Sequence, residues 1–452
     1  MDALERRSVL ALASVYLFRM LGLFLIMPII SIAADDLSGA NAALIGAAIG
    51  VYGLTQALLQ IPMGMMSDKI GRKPIILIGL TIFALGSLIC ANADSMTSLI
   101  VGRAIQGAGA IASTLMALLS DVTREQNRTK AMATVGISIG VSFMLSLVMG
   151  PWLYSIIGLA GLFYLSLAFS VVGMGLIIFA VPNVKQHTFR RDTTPSLQAL
   201  SKVLANKSLR FMNTSIFILH ASLTALFVCI PNLLLTRFDL PLADHSWLYL
   251  IVMGLAFIGM LPMVIVAEAK GKMKQVVSYA LLMLAFGTLF MGFSSSVTLF
   301  GVTLWLYFVG FNTLEATLPS LISKVSPVGY RGTAMGIFST HQFMGAFIGG
   351  IGGGWILQNY SAQIVFTTVA VVMFIWTFFA TRQAPTRHLT SLAFSLQHLD
   401  NVEIDKLAND LSYVDGVEDM QIFSDEKTAY LKVDKKLLDK DKLLQLAPTV
   451  SV

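Results

Sequence analysis

Apolar segments of about 20 residues recur through the first 381 residues of this chain, separated by short polar loops. A helix of that length crosses about 30 Å of hydrocarbon and satisfies its own backbone hydrogen bonds there. Only 12% of the residues are charged, whereas a soluble domain has about a quarter. The chain is therefore predicted to be a polytopic helical membrane protein. The predicted spans are 8–31, 42–62, 74–92, 96–119, 129–153, 158–181, 211–235, 246–267, 275–293, 298–322, 332–356 and 361–381.

The loops differ in charge according to which end of the spans they join. Loops at one end hold nearly all of the basic residues, whereas those at the other end hold several aspartates and Arg237. By the positive-inside rule, both termini are predicted to be cytoplasmic. The basic residues behind this prediction are Arg6, Arg7, Lys69, Arg72, Lys73, Arg124, Arg128, Lys130, Lys270, Lys272, Lys274, Lys324, Arg331, Arg382 and Arg387.

Several classes of protein are excluded by the placement of special residues. Cys90 and Cys229 both lie inside apolar segments, so each is predicted to be a buried thiol and not half of a disulfide. The net charge of +6 comes from basic residues at helix ends, which argues against nucleic-acid binding. The first segment is too long for a cleaved signal peptide, so it should remain as a helix. Without a triad, metal-ligand cluster or phosphate loop, neither an enzyme nor a bound metal or cofactor is expected.

The chain divides into two similar halves and a tail. The long loop 182–210 is predicted to be a cytoplasmic linker between six-span halves at 1–181 and 211–385. LLSDVTREQNRTKAMA (118–133) aligns with LISKVSPVGYRGTAMG (321–336) at an offset of 203. Repeats of this kind are typical of transporters that bind their solute between the two halves.

Residues 389–452 have the composition of a small soluble domain. Their pattern predicts the order β-α-β-β-α, with a further strand at TVSV (449–452), and hence a cytoplasmic α+β domain of ferredoxin-like type. Such domains often hold metal through a C-x-x-C motif, but this one contains no cysteine, so metal carriage is not expected. The alternatives are binding of a regulatory ligand or protein and support of the cytoplasmic face.

The sequence GMMSDKIGRKP (64–74) concentrates charge between two apolar segments. Gly71 can adopt a positive φ, and a carboxylate at Asp68 can accept hydrogen bonds from the free N–H groups at the start of a neighbouring helix. The Arg72 guanidinium can form a two-pronged bond with a carboxylate, for which Asp121 is the candidate. The alternative is a positively charged loop in which the acid is incidental.

The pattern G-x-x-x-D-K-x-G-R-K at 64–73 resembles motif A of the major facilitator superfamily, with lysine where arginine is commoner. With the spans and repeats, this resemblance covers residues 1–385. It implies an all-α fold of twelve transmembrane helices in two six-helix halves, followed here by the α+β domain. In that family the acid caps a helix of the opposite half, and the arginine pairs with an acid below the fourth span. The implied conformational latch consists of Gly64, Asp68, Gly71, Arg72 and Asp121.

Two arginines lie inside predicted spans, where a charge costs about 3 kcal/mol unless it faces a cavity or a partner. Arg103 lies in GRAIQGAGAIA (102–112), which resembles motif B of the same family, whose arginine is implicated in proton coupling. The alternative is a structural arginine bonded to carbonyl groups. Arg19 precedes LGLFLIMPIIS (21–31), which resembles the first-span signature of drug:proton antiporters, although the usual final proline is a serine.

The antiporter signature of the fifth span, motif C, is only partly present. Gly150 and Pro151 match it, but Tyr154 and Ser155 replace its final glycines and Ser146 stands at another glycine position. This departure weakens the resemblance to antiporters. It is the main argument for the alternative of a facilitator or symporter for a polar nutrient.

Glu315 is the only carboxylate deep within a predicted span, which makes it a candidate functional site. It is predicted to carry the proton, and a fixed ion pair with Arg19 or another basic group is the alternative. His220 and His341 are further titratable groups within spans, although a lone histidine there is more often a packing residue. The candidates for proton coupling are therefore Arg19, Arg103, His220, Glu315 and His341.

Together these features predict a monomeric transporter of the bacterial inner membrane that belongs to the drug:proton antiporter group. The resemblance implies export of a small, partly hydrophobic solute by alternating access, with the proton gradient as energy source and no cofactor. The predicted cavity residues are Tyr52, Gln56, Phe227, Asn232, Asn312 and Gln342. A membrane sensor that signals through 389–452 is a further alternative.

Overall fold

The computed structural model describes residues 1–182, 197–326, 330–383, 389–396, 401–423, 428–434 and 437–446. Its membrane part is a bundle of helices joined by short loops. The helices are α1 (Ala3–Phe24), α2 (Ile30–Ala33, continued by a 3₁₀ turn at Ala34–Asp36), α3 (Ala42–Ile70), α4 (Arg72–Ala91), α5 (Met96–Ala108), α6 (Ala112–Asp121), α7 (Glu125–Phe179), α8 (Leu197–Ala205), α9 (Lys207–Thr236), α10 (Leu242–Ala269), α11 (Met273–Phe293), α12 (Val297–Val325), α13 (Arg331–Asn359) and α14 (Ala362–Arg382).

Twelve membrane crossings can be counted in the described residues. Ten helical segments are long and apolar enough to span a membrane. One of them, Lys130–Phe179, has room for two crossings, and Gly158 separates these with φ 67° and ψ −177°. The glycine-rich helix α13 has 29 residues and is about 44 Å long, which is also sufficient. The predicted fold of twelve helices is therefore confirmed.

We call the end of the bundle at which α1 begins the basic face, and the opposite end, at which α3, α5, α12 and α14 begin, the acidic face. At the acidic face each of these four helices is preceded by a capping residue, whose side chain accepts a hydrogen bond from a backbone N–H group of the first turn. The capping residues are Asn41, Ser95, Ser296 and Ser361. Ser95 and Ser296 have the same backbone conformation, φ −140° and ψ 156°. The internal repeat therefore extends to the helix caps.

The predicted fourth span, 96–119, is not one continuous helix. Helix α5 ends at Ala108 and α6 begins at Ala112, with Gly109 at φ −72° and ψ 49° between them. A Cβ atom at Gly109 would lie 2.3 Å from the Gly79 carbonyl oxygen of α4, so only glycine permits this close approach. The break leaves the Gly109 carbonyl oxygen outside the regular helix and open to a side-chain donor.

Helices α3 and α13, from opposite halves, touch backbone to backbone toward the acidic face. A Cβ atom at Gly46 would lie 2.2 Å from the Gly350 carbonyl oxygen, and one at Gly53 would lie 2.4 Å from that of Phe343. We call this backbone contact between α3 and α13 the glycine seam. At its end the Ala42 N–H donates to Gln358 Oε1 at 2.9 Å. The two halves are therefore closed against each other at the acidic face.

Part of the predicted linker between the halves is helical. The predicted linker 182–210 includes helix α8, and α9 already begins at Lys207. Residues 183–196 of that linker lie outside the described residues. Lys202 of α8 places its ammonium group 5.5 Å from the ring centre of Tyr330, so the described part of the linker lies against the start of α13.

The chain after α14 forms the predicted small domain. Its elements are β1 (Leu389–Ser395), α15 (Asn401–Ser412), β2 (Val417–Phe423), β3 (Thr428–Asp434) and α16 (Lys440–Leu446). The sheet is antiparallel in the order β1-β3-β2, and Leu392 pairs with Leu431 in register. Leu411 and Leu443 of the helices are buried with them in one apolar core. The element order and strand order are those of a ferredoxin-like domain; the predicted strand at 449–452 lies outside the described residues.

Lys432 of β3 connects this domain to the membrane part. Its Nζ donates to the carbonyl oxygen of Lys324 at 2.7 Å and to that of Ser326, both at the end of α12. The side chain is buried, with 4% of the residue exposed. Because the last carbonyl groups of a helix lack N–H partners and form its negative end, the ammonium group caps α12.

Candidate functional site

Glu315 projects from α12 toward two polar side chains of the second half. Its Oε1 accepts a hydrogen bond from Gln342 Nε2 of α13 at 3.1 Å, and its Oε2 lies 3.9 Å from His220 Nε2 of α9. The Gln342 amide nitrogen also lies 2.8 Å from His220 Nε2. An amide nitrogen only donates, so His220 Nε2 accepts and the imidazole is neutral in this arrangement. We call these three side chains the Glu315 triad.

The triad is partly accessible, and aromatic residues cover it toward the acidic face. The Glu315 side chain is 33% exposed, whereas that of His220 is 10% exposed. One turn before Glu315 on α12, the Phe311 ring lies 5.7 Å from the His220 ring and is buried. Phe311 therefore separates the triad from the acidic face.

An aromatic cluster joins the two halves beside the triad. Phe143, from the first crossing of α7, stacks on Phe311 with ring centres 5.8 Å apart and also packs against Phe308 at 6.1 Å. Phe308 contacts Phe227, and Phe227 contacts Tyr249. All five side chains are buried. Because Phe143 belongs to the first half and the others to the second, this cluster closes the interface between the halves on the acidic side of the triad.

Arg19 lies in a polar network of the first half. Its Nη2 donates to Gln56 Oε1 at 2.7 Å and to the Gly109 carbonyl oxygen at 2.9 Å, and it lies 3.3 Å from the Tyr52 hydroxyl. The break between α5 and α6 thus supplies an acceptor for a charge buried in the bundle. The alternative ion pair between Arg19 and Glu315 is wrong, because each side chain is bonded within its own half.

Arg103 lies on the other side of Tyr52. Its guanidinium carbon is 5.0 Å from the centre of the Tyr52 ring, its Nη1 donates to Gln106 Oε1 at 2.8 Å and its Nε to the Ala48 carbonyl oxygen at 3.2 Å. Gln106 in turn donates to Ser87 Oγ at 2.8 Å. These neutral contacts are those expected of a structural arginine. The part of Arg103 in proton coupling stays a prediction.

The remaining predicted site residues lie at different depths. His341 Nδ1 is 2.8 Å from the Ile337 carbonyl oxygen of its own helix, as expected of a packing histidine. Asn312 lies one turn from Glu315 on α12 and is buried. Asn232 is half-buried on α9, about 18 Å along the helix from His220. The structure packs Tyr52, Gln56 and Phe227 in the interior, so solute contact at the six cavity residues stays a prediction.

The charged loop at 64–74 forms a compact network at the basic face. Arg72 makes an ion pair with Asp68, its Nε lies 3.3 Å from Asp121 Oδ2, and its Nη1 donates to Ser67 Oγ at 2.6 Å. Gly71 between the two helices has φ 110°, a conformation that favours glycine. Arg72 thus lies between two carboxylates of the first half. The contact of Asp68 with the opposite half stays a prediction.

Gly64 and the loop of the second half that corresponds to 64–74 also lie at the basic face. The Gly64 carbonyl oxygen accepts a hydrogen bond from Ser67 Oγ at 2.6 Å. In the second half Glu268 stands at the place of Asp68, and it makes an ion pair with Lys324 and accepts from Ser320 Oγ at 2.6 Å. Both of these partners lie on α12. The two halves therefore use their loop acids differently.

Two features of the site could not be predicted from the sequence. The residues of the triad were separate candidates, in different categories, and only the packing of α9, α12 and α13 brings them together. Their common position near the middle of their helices was the available signal. The acceptor role of Gly109 was hidden as well, because the glycines of that segment indicated close helix packing and not a break.

Comparisons with known proteins agree with this architecture. The family model of the Major Facilitator Superfamily matches residues 12–267 and 212–409. The inner membrane transport protein YajR of Escherichia coli (strain K12) is 42% identical over 445 residues, which are 98% of this chain and 97% of that protein. The combination of twelve spans with a cysteine-free ferredoxin-like domain predicts a likeness to YajR-type transporters, and this prediction is confirmed.

More distant proteins share the fold. The multidrug resistance protein MdtH of Aeromonas salmonicida (strain A449) is 24% identical over 352 residues, which are 76% of this chain and 86% of that protein. The crystal structure of a bacterial homologue of the human lysosomal transporter Spinster, inward-facing and occupied, matches with a TM-score of 0.68 at 13% identity. That match covers 85% of this chain and 100% of the other.

Proposed function

The chain belongs to the major facilitator superfamily, and we propose that it is a proton-coupled antiporter that exports a small, partly hydrophobic solute. The observation that supports this function best is the contact of Glu315 with His220 and Gln342. An acid in the middle of a membrane helix is a candidate for ion or proton transfer. In the Glu315 triad it faces an amide and a neutral imidazole and not a guanidinium, so it is free to take up and release a proton.

The proposed cycle is alternating access by rocking of the two halves. The glycine seam and the aromatic cluster close the acidic face in the present state, while Glu315 keeps partial exposure. We propose that the halves part at this face to admit a proton from outside, and that the network of Asp68, Arg72 and Asp121 at the basic face then acts as the latch. Protonation of Glu315 would accompany release of the solute.

Export is the proposed direction because a distant relative, MdtH, is named a multidrug resistance protein. The aromatic side chains around the triad would suit a partly hydrophobic solute. The second candidate is a symporter or facilitator for a polar nutrient, which the incomplete motif C favours. The direction of proton movement on solute addition separates the two.

The relatives and the fold are those of transporters, and the chain is a multi-pass protein of the bacterial inner membrane. We propose that the basic face and both termini are cytoplasmic, in agreement with the positive-inside rule. A monomer suffices for this mechanism, since both halves come from one chain. The C-terminal domain is proposed to act on the transporter through Lys432 and not as an independent sensor.

The test uses the full chain reconstituted in proteoliposomes with protons concentrated inside, and a panel of small amphipathic compounds is added outside, one at a time. If the wild type is an antiporter, a transported compound should enter in exchange for protons and release them from the vesicles. Glu315→Gln should abolish that release, while Asp244→Asn, which changes an acid at the acidic face, should retain it. Proton uptake together with the compound would establish symport instead. Normal coupling in Glu315→Gln would remove Glu315 as the proton carrier.

A further inference from the structure

A groove of about 410 Å³ lies at the basic face between the start of α1 and the end of α7. Small and apolar side chains line its membrane side, and basic side chains line its outer end. Leu10 is 54% exposed and the neighbouring Phe179 is 79% exposed, so the groove is open to the surrounding membrane. Its principal lining residues are Arg6, Arg7, Leu10, Ser14, Leu176 and Ala180.

The Arg6 guanidinium is available to a ligand. It is exposed and has no hydrogen-bond or ion-pair partner among the residues that the structure describes. The two acids beside it are engaged elsewhere: Asp2 accepts the Glu5 N–H at 2.8 Å and lies 3.4 Å from Arg124 Nη2, and Glu5 Oε1 accepts the Arg124 N–H at 2.8 Å. The positive charge of Arg6 therefore faces outward from the protein, with no acidic partner in the described part of the chain.

Arg7 and Lys73 make the other wall of the groove less negative. Arg7 Nη2 donates to the Phe179 carbonyl oxygen at 2.8 Å, and Lys73 Nζ donates to that of Val181 at 2.6 Å. These carbonyl groups form the negative end of α7, so both bonds offset its partial charge. A guanidinium has five N–H donors, and toward the described residues Arg7 uses one of them, so the others can reach an additional acceptor.

We propose that this groove binds an anionic phospholipid of the adjoining leaflet. The lipid phosphate would lie against Arg6 and Arg7, and an acyl chain would follow Leu10, Ser14 and Leu176 into the membrane. The groove offers what such a lipid requires, which is an apolar slot at hydrocarbon depth that ends in two cations at headgroup level. Each cation near the surface should strengthen binding of an anionic headgroup about fivefold. The proposal does not depend on the transport function.

The test is native mass spectrometry of the full chain in detergent, titrated with dioleoyl phosphatidylglycerol or dioleoyl phosphatidylcholine, which differ only in the headgroup. The wild type should retain the anionic lipid preferentially. The double variant Arg6→Gln/Arg7→Gln should weaken that retention roughly 25-fold, the product of two such factors. The matched pair Lys207→Gln/Arg210→Gln removes two exposed cations at the start of α9 and should leave retention unchanged. Millimolar inorganic phosphate should not displace the lipid, because it cannot occupy the apolar slot.

Two further variants keep the proposal testable if Arg7→Gln disturbs the end of α7. Arg6→Gln alone removes a guanidinium that has no partner among the described residues, and it should still weaken retention of the anionic lipid about fivefold. Ser14→Leu narrows the slot with both cations intact and should also lower retention. Equal retention of the two lipids by the wild type, or equal loss in both double variants, would overturn the proposal.

Discussion

Glu315 and His220 come from different helices, and their side chains approach to 3.9 Å while both contact the Gln342 amide. This arrangement gives the acid a second titratable group as its neighbour. The distance of 3.9 Å exceeds that of a hydrogen bond, so the Gln342 amide is the group that links the carboxylate to the imidazole. The amide holds the two groups in place without adding a charge to the membrane interior.

Gln342 should therefore be necessary for coupling although it does not titrate. Gln342→Leu removes the donor to Glu315 and His220, and a lost hydrogen bond to a charged group should lower solute-driven proton release about tenfold or more. Proton flux in proteoliposomes measures this loss. Gln363→Leu, at an exposed amide of the acidic face, should behave as the wild type, and unchanged coupling in Gln342→Leu would show that the amide is dispensable.

Asp68→Asn should impair transport and leave the amount of folded protein unchanged. The substitution removes the carboxylate that pairs with Arg72 but retains its size, so we expect about a tenfold loss of transport from a weaker latch. Initial transport rates and the yield of monodisperse protein test this. Asp94→Asn changes an exposed acid at the opposite face and is the control. A wild-type transport rate in Asp68→Asn would contradict the proposed role of Asp68 in the latch.

Gly46→Ala should damage the closed acidic face. The new Cβ atom would meet the Gly350 carbonyl oxygen at 2.2 Å, which requires the backbones of α3 and α13 to separate. Overpacking of this kind costs about 1–3 kcal/mol, so we expect transport to fall roughly tenfold. At Gly136, also helical, a Cβ atom meets nothing within 4 Å, and Gly136→Ala should retain transport. Normal transport in both variants would argue against a tight seam.

Lys432→Met should loosen the C-terminal domain from the membrane part. The side chain keeps its length but loses two hydrogen bonds to the end of α12, and we expect the contact to weaken by about 1–3 kcal/mol. Limited proteolysis of the full chain should release the domain faster. Lys442→Met removes a bond to the Tyr413 carbonyl oxygen within the domain and leaves the contact with α12 in place. Equal release rates in Lys432→Met and the wild type would show that the contact is not stabilising.

The helices and the small domain were predictable because apolar length and strand alternation are properties of local sequence. Arg72 and Asp121 were also predictable as neighbours, since the resemblance to motif A implies that pair. The partners of Arg19 and Glu315 were not, because a charge in a span indicates that a partner exists and not which one. The break in the fourth span shows the same limit: it lies at Gly109, where the chain approaches Gly79 of α4, and no local pattern contains that contact.

The glycine seam has a consequence for how the transporter can open. Backbones that touch directly have no side chains whose rotamers can adjust, and dispersion forces fall steeply once a gap of even half an ångström forms. Because Gly46 and Gly53 lie along one line on α3, a small tilt of the helix separates both contacts together. The seal should therefore be lost cooperatively, as a switch between two discrete states, and the membrane should stay impermeable to ions through most of the thermal motion of the closed state.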